Sequence, residues 1–477
     1  MKDINVITKV VKSNNFLKIE NLTTMKKERR AKIISRSSKR IEEIMPLISS
    51  IISSIQRDGD KALMKYTEKY DGVKILSSKI TVKKTEIKDA YKKVESEDKE
   101  LIKNMQSSID LIKAYHEQEK MQNVGNLKSW EKSVKAKDWK EKYQKLVVGQ
   151  IYNPLNRIGV YVPGGNAILF TTALMGVTPA KVAGVKEIIV ASPPSRGGDI
   201  DHKIIVAADL AGADLIVRAG GAQAIAALAC GTKSVPKVDK IFGPGNIFVT
   251  AAKAFVASNG ICAIDFIAGP SEIMIIADKT VDSNFVARDM VSQAQHDENA
   301  SAILLTDSKK LANDVRKRIK DILLEENYEN DLREITTKSL SNYGAIIIVD
   351  NILDAIYFSN DFAPEHLEIM TKNPRKWIDK IKNAGTICVG KYSPVAISDY
   401  ICPNHILPTG GSARYTSGIN IDMFLKKTSL LQANANMMPL LNKSIRNLSM
   451  AEGLYNQHGL SISVRLDYIK KKKKRKR

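Results

Sequence analysis

Gln293 and His296 stand three apart in Val291-Ser-Gln-Ala-Gln-His296, and Glu365 and His366 are adjacent in Asp361-Phe-Ala-Pro-Glu-His-Leu-Glu368. The chain has only six histidines, so two of them ending such segments are informative. Residues three apart share one face of a helix, and an amide oxygen beside an imidazole suits a borderline ion such as zinc. A carboxylate next to a histidine supplies a proton-transfer pair. Together they point to metal-assisted chemistry on a small polar substrate. A plain polar helix face would also account for the first pair, because zinc needs three or four convergent ligands. The second pair needs an irregular backbone to act jointly, which Pro364 favours.

The surrounding turns supply a binding crevice. Tyr161-Val-Pro-Gly-Gly-Asn166, Gly220-Gly-Ala-Gln-Ala-Ile-Ala226, Phe242-Gly-Pro-Gly-Asn246 and Ala268-Gly-Pro-Ser-Glu272 each adjoin a short β-branched run. Such turns bring backbone close to a ligand and present the free N–H groups of a following helix. The Gly-x-Gly-x-x-Gly dinucleotide fingerprint is absent, so a nucleotide would occupy a modified crevice.

From Arg157 to Asp278 strand and helix alternate: strands at Ile158–Val162, Glu187–Ala191, Leu215–Val217 and Lys240–Phe242, with helices between them. Alternation of this kind specifies a parallel sheet covered by helices. Strands at Ile273–Ala277, Ala302–Thr306, Ala345–Val349 and Thr386–Val389, with helices at 283–295, 308–326 and about 374–383, form a second set. The predicted fold is α/β, with two Rossmann-like parallel-sheet domains. Residues 1–50 are expected as an N-terminal helical segment, 51–157 with 271–420 as a discontinuous α/β domain, and 158–270 as the nucleotide-binding layer. A helical segment 421–469 and a basic tail 470–477 complete the division. The Lys-rich tract 121–145 reads as a loop or insertion.

The 477 residues exceed one ordinary core. No apolar run approaches the roughly 20 residues of a membrane span, and Met1-Lys-Asp-Ile-Asn5 lacks a signal-peptide layout, so a cytoplasmic location is expected. Cys230, Cys262, Cys388 and Cys402 lack paired spacing, which fits a reducing compartment. Cys230 reads as a buried thiol, and Cys402, three residues from Asp399, as the most reactive candidate of the four. Of the net +22, Lys470 to Arg477 account for eight, leaving +14 on the rest. That run reads as a solvated, disordered tail without base-reading motifs, while the remaining excess favours an anionic cofactor.

The seven segments Tyr161-Val-Pro-Gly-Gly, Gly220-Gly-Ala-Gln-Ala-Ile-Ala-Ala-Leu, Val235 to Asn246, Ile264 to Glu272, Ser292 to His296, Ala363 to Glu368 and Pro403 to Thr409 occur in this order. In that order, from about Ile41 to Asp467, the chain resembles the histidinol dehydrogenases. That family converts L-histidinol to L-histidine through the aldehyde, with two NAD in succession and one zinc ion per subunit.

The resemblance implies zinc ligands Gln293, His296, Asp399 and His458, proton-transfer residues Glu365 and His366, and NAD contacts Tyr161, Gln223 and Asn246. It adds Ser271 and Glu452 to the metal ligands and the Glu365–His366 pair as substrate contacts. It also implies a homodimer with intertwined ends, in which the partner's C-terminal segment brings His458 to the site. Neither a membrane nor a specific nucleic acid is expected as a partner.

This chain departs from the family pattern at several positions. Ser398 replaces a usual glycine, Ile401-Cys402 forms a loop one residue shorter, and Gln295 replaces a usual glutamate. Glu452 precedes His458 by six residues and not five, roughly a 100° change of direction on a helix. His405 is a candidate hydrogen bonder behind the metal ligands, and His116 and His202 are expected at the surface. A zinc hydrolase and a nucleic-acid binder led by the tail are the alternatives. The first leaves the paired α/β layers unused, and the second leaves the candidate site unused.

Overall fold

Val, Ile and Leu dominate the central strands of the two parallel sheets, which are buried along most of their length, as strands covered on both faces must be. The structure, a computed structural model, describes residues 4–13, 16–36, 41–124, 130–134, 146–164 and 168–475. It comprises two compact units, residues 1–118 with 155–424, and residues 119–154 with 425–477. Among the described residues no helix is long and apolar enough to cross a membrane.

The N-terminal stretch, expected to be helical, contributes a short strand, β1 (Ile19–Asn21). Its helices Ile4–Lys12 and Lys27–Ser35 flank that strand. The tract 121–145, read as loop or insertion, contains β2 (Trp130–Val134), which pairs antiparallel with β3 (Leu146–Pro154). Residues 125–129 and 135–145 lie outside the described residues.

The first parallel sheet contains β4 (Arg157–Tyr161), β5 (Glu187–Ser192), β6 (Leu215–Arg218), β7 (Lys240–Phe242) and β8 (Ala263–Ile264). Their spatial order is β6-β5-β4-β7-β8. The order reverses between β4 and β7, where the carboxyl ends of strands open a ligand crevice in such sheets.

The second parallel sheet contains β9 (Glu272–Ala277), β10 (Ser301–Thr306), β11 (Ala345–Ile348), β12 (His366–Met370) and β13 (Thr386–Val389). With β1 at one edge its order is β1-β11-β10-β9-β12-β13. The four strands expected here are present. The fifth, β12, carries His366. The expected helix near 374–383 is a 3-10 turn over Pro374–Lys380, and helices Asn330–Asn342 and Ile352–Phe362 are additional.

Residues 51–157 were expected to join the second layer, but helices Met45–Asp58 and Asp60–Tyr66 pack on the first. Ile48, Ile51, Ile52 and Ile55, at helical spacing, share a core with Ala222 to Ala229 and Ile241. Burying each such side chain contributes about 1.5–3 kcal/mol. Arg218, at the end of β6, donates to the carbonyls of Lys79 and Thr81 at 3.0 Å and to Glu86 at 2.9 Å, fastening the chain before helix Lys84–Glu97. Val11, Phe16, Leu17 and Ile33 instead enter the cores of the second sheet.

In the smaller unit β14 (Leu425–Gln432) pairs antiparallel with β3, so the C-terminal segment is not wholly helical as expected. Helices Met438–Ala451 and Leu460–Lys474 follow. The second carries regular structure through Lys474 into the run expected to be disordered, and 476–477 lie outside the described residues.

His116 is fully buried with its ring edge-on to Tyr115, and His202 Nε2 meets Glu97 at 2.7 Å. Both histidines were expected at the surface. Each instead fills a gap where a helix packs or ends.

Candidate functional site

The candidate proton-transfer pair sits at the amino end of β12, beside that of β9, neighbouring strands that flank the reversal point of the second sheet. Helix Ile352–Phe362 ends at Ala363 with φ 52°, a left-handed conformation uncommon without glycine. That turn delivers Pro364 and Glu365 to the sheet, and His366 opens β12. The irregularity needed for a joint role therefore lies just before the pair. Both side chains are buried, and His366 Nδ1 is 3.5 Å from Glu365 Oε2.

Nδ1 of His366 lies 3.1 Å from the carbonyl oxygen of Glu272. A carbonyl only accepts, so Nδ1 carries a proton in either charge state and the lone pair of the neutral form is on Nε2. Nε2 is buried without a hydrogen-bond partner, 3.7 Å from Asp399 Oδ1. Burial pulls the imidazole down, but the carboxylates of Glu365 and Asp399 outweigh it and hold the group up at about 9.

His405 works from behind. Its Nδ1 donates to the backbone carbonyl of Asp399 at 3.0 Å, and its Nε2 accepts from the Thr172 hydroxyl at 3.0 Å. Burial lowers its basicity. Thr172 belongs to helix Thr171–Ala183, which follows β4, so this histidine links the site to the first sheet.

Gln293 ends the helix Ser283–Ala294 with its side chain buried and its Nε2 unpartnered, while His296 lies beyond the helix and is exposed. The two therefore do not share a regular helical face as expected. The turn over Asp297 to Asn299 takes the chain away, with Asn299 N–H and Nδ2 donating to Asp297. Gln295 Nε2 donates to Tyr328 at 2.6 Å.

Asp399 lies half-buried in the short helix Val395–Tyr400. Ser398, in place of glycine, takes an ordinary negative φ there and donates to Asn404 O at 3.2 Å, so its loss of glycine brings no backbone strain. One turn before Gln293, Asp289 interacts with Glu368, whose Oε1 accepts from Val395 N–H at 2.9 Å. Helix, strand and Asp399 are thereby joined. Burial raises Asp289 to about 6, and burial with Asp289 beside it drives Glu368 far above the usual carboxylate range.

Among the described residues no three His, Cys, Asp or Glu side chains gather to hold a metal ion. The expected ligand set places only two of those types, His296 and Asp399, in the larger unit. Gln293 could offer a donor there only through its amide oxygen, since the Nε2 that is buried without a partner is a hydrogen-bond donor and not a ligand atom. The thiols do not offer one: burial raises Cys402, and Cys388 is pushed up to about 12. Cys230 is half-buried rather than buried, and all four cysteines are unpaired.

At the first sheet, the Tyr161 hydroxyl accepts from Gly221 N–H at 3.1 Å, and burial pushes the phenol up to about 12. Gln223 Nε2 donates to Asp71 at 3.1 Å. Asn246 caps helix Ile247–Ser258, its Oδ1 accepting from Phe248 and Val249 N–H. Gly243, φ 111°, packs its α-carbon against the Tyr161 carbonyl, where any side chain would collide. The three candidate NAD contacts thus lie at the end of β4 and at the starts of helices Gly221–Cys230 and Ile247–Ser258.

In the smaller unit Glu452 and His458 are both exposed. Helix Met438–Ala451 ends before Glu452, Gly453 turns left-handed and a π turn spans Tyr455–Gly459. Glu452 and His458 therefore do not lie on one continuous helix.

Sequence reasoning did not single out Arg36, Asp71, Glu272, Asp289 or Glu368. Glu272 stood in a quoted motif, where Ser271 alone drew attention. Asp71, raised to about 6 by burial, offered only its place after a helical stretch.

The family model described as histidinol dehydrogenase matches residues 34–466. The histidinol dehydrogenase of Clostridium acetobutylicum is 44% identical over 90% of this chain and 94% of its own. That of Methanocaldococcus jannaschii is 39% identical over 94% and 98%. The crystal structure of histidinol dehydrogenase from Elizabethkingia anophelis superposes with a TM-score of 0.84 at 33% identity, covering 96% of this chain and 99% of that one. With the family model, the relatives and the solved fold all spanning both sheets and the site between β9 and β12, the chain belongs to the histidinol dehydrogenase family.

Proposed function

We propose that the chain oxidises L-histidinol to L-histidine by way of L-histidinal, with NAD, in histidine biosynthesis. The single observation that carries this reading is the state of His366: Nδ1 is tied to a main-chain carbonyl, and Nε2 is presented bare beside Asp399. A base so fixed can take the hydroxyl proton of the alcohol as its carbon loses hydride.

Glu365, whose Oε2 accepts from the Glu272 N–H at 2.7 Å, then takes a proton from the water that hydrates the aldehyde. Ser271 and Glu452 are the remaining substrate contacts. Tyr161, Gln223 and Asn246 hold NAD at the first sheet, and NAD supplies the hydride acceptor.

Gln293, His296 and Asp399, with His458 of a second subunit, would hold a zinc ion. Bound there it supplies a template for the substrate's amine and imidazole nitrogens. Nitrogen and oxygen donors of this kind suit that ion. The working form on this reading is a homodimer with shared sites.

Purified protein given limiting L-histidinol and excess NAD tests the proposal. NADH absorbance should report about two NADH per histidinol consumed, each hydride being carried by one cofactor molecule. A hydrolase would give no NADH.

A further inference from the structure

A buried ion pair that the steps above leave unused ties the two proton-transfer residues together. Arg36 Nε lies 2.7 Å from Glu272 Oε1, with side chains only 6% and 3% exposed. Glu272 and Glu365 clasp each other in both directions. Glu365 Oε2 accepts from Glu272 N–H at 2.7 Å, and Glu272 Oε2 accepts from Glu365 N–H at 3.3 Å. The carbonyl of Glu272 receives His366 Nδ1, and Gly410 N–H donates to its Oε1 at 2.9 Å.

The other edge of the guanidinium donates to the carbonyls of Phe362 at 2.6 Å and Ala363 at 3.3 Å, the turn that sends the chain into Glu365. The same group lies 3.3 Å from the centre of the Phe362 ring. One planar fork therefore spans the carboxylate on β9 and the backbone entering β12, a span that the point charge of a lysine does not cover.

We propose that Arg36, acting through Glu272, is the positioning residue that sets the orientation of Glu365 and His366. The inference rests on the reading of those two as the proton-transfer groups. An ion pair kept only for stability gains little over an apolar pair of the same shape. Here the hydrogen bonds to Phe362 and Ala363 and the charge contact with Glu272 end on groups adjoining the reacting pair, while Nη1 donates to Ile34 O at 3.3 Å and Nε, close to Glu272, is not aligned for a hydrogen bond.

The test measures kcat and KM for L-histidinol and NAD in the native protein, Arg36→Lys and Arg36→Ala. Arg36→Lys keeps the charge opposite Glu272 and so keeps the fold. A displacement of about 1 Å at reacting groups costs on the order of 100-fold, and both variants should lose kcat on that scale. KM should stay within about threefold, since ground-state binding is untouched. Millimolar guanidinium should restore kcat in Arg36→Ala by about fivefold or more, because it refills the vacated fork, and should leave the native protein unchanged.

A kcat near the native value in Arg36→Lys overturns the proposal, as does a loss confined to KM or a folded Arg36→Ala that guanidinium does not rescue. Should Arg36→Ala fail to fold, the division between kcat and KM in Arg36→Lys decides. No turnover by the native protein would overturn the functional reading and this inference with it. Native turnover with unaffected variants overturns this inference alone.

Discussion

His366 and Asp399 face each other with Nε2 3.7 Å from Oδ1, too far for a hydrogen bond and close enough for charge to dominate. With Glu365 on the other side, the imidazole has two anions and little water.

The first consequence concerns pH. The pKa of His366 stands above its ordinary value, at about 9, so the charged form prevails at neutral pH and the base form accumulates only as pH rises. Turnover that needs the base should increase with pH. In protein stripped of metal the raised value also contributes stability that is fully present below about 6.5 and lost as pH passes through about 9. An ion at Asp399 neutralises one of the two anions and moves the midpoint down. NMR titration of the imidazole with and without zinc checks this, and an unshifted midpoint near the ordinary value in the stripped protein would refute it. His366→Asn should lower kcat by about a thousandfold, within the usual range for a lost general base.

Glu365→Gln separates the two halves of the reaction. The amide still accepts the Glu272 N–H but no longer takes a proton from water. The first oxidation should persist while hydration of the aldehyde slows, and the early NADH yield should fall toward about one per histidinol. Single-turnover absorbance with limiting substrate reads the ratio. A yield still near two at an undiminished rate would remove Glu365 from the second half.

Asp289 and Glu368 predict a pH-dependent stability. Asp289 titrates at about 6 in the folded chain against 3.8 in the ordinary range, so folding favours its protonated form. Its contribution is present below the unfolded value and lost as pH rises through about 6, at about 1.4 kcal/mol for each tenfold difference in proton affinity between the folded and unfolded chain. Asp289→Asn has no such titration. It should therefore gain stability relative to the native protein as pH rises from about 4 to about 6. Urea unfolding at both ends measures this, and parallel pH curves for the two proteins would exclude it.

Much of the second sheet was legible because Ile273 to Ala277 and Ala302 to Thr306 are unbroken apolar runs that only a doubly covered strand buries. The strand β12 was hidden by its own chemistry, since His366 and Glu368 interrupt the run that would have marked it. Three-residue β1 is too short to show periodicity, and β14, with Lys426 and Lys427 exposed, lacks an apolar face. Within the candidate site, Gln293, Glu365 and His366 stood out through their segments, and Asp399 only through the family resemblance. Arg36 was not, because its meaning lies in a contact with Glu272 that no local pattern announces. The packing of helices 45–97 on the first sheet was misjudged for the same reason: Ile48 to Ile55 specify an apolar face but not the surface that covers it.

The last prediction concerns zinc and its fourth ligand. Asp399 lies in the larger unit and His458 in the smaller, so a site that takes His458 from another subunit can be rebuilt by mixing. Asp399→Ala and His458→Ala should each be inactive alone, with bound zinc well below one per subunit, because tetrahedral sites tolerate few missing ligands. Subunits of the two variants, dissociated and reassociated together, should form hybrid dimers in which one site has both ligands intact and the other has neither. Activity near about a quarter of the native level should then appear, half of the dimers being hybrids with one working site each. Elemental zinc analysis and NADH formation on the mixture give two independent readings. Recovery confined to the hybrid supports a ligand crossing between subunits, whereas no recovery with full reassociation places His458 in its own chain's site or outside the metal's shell.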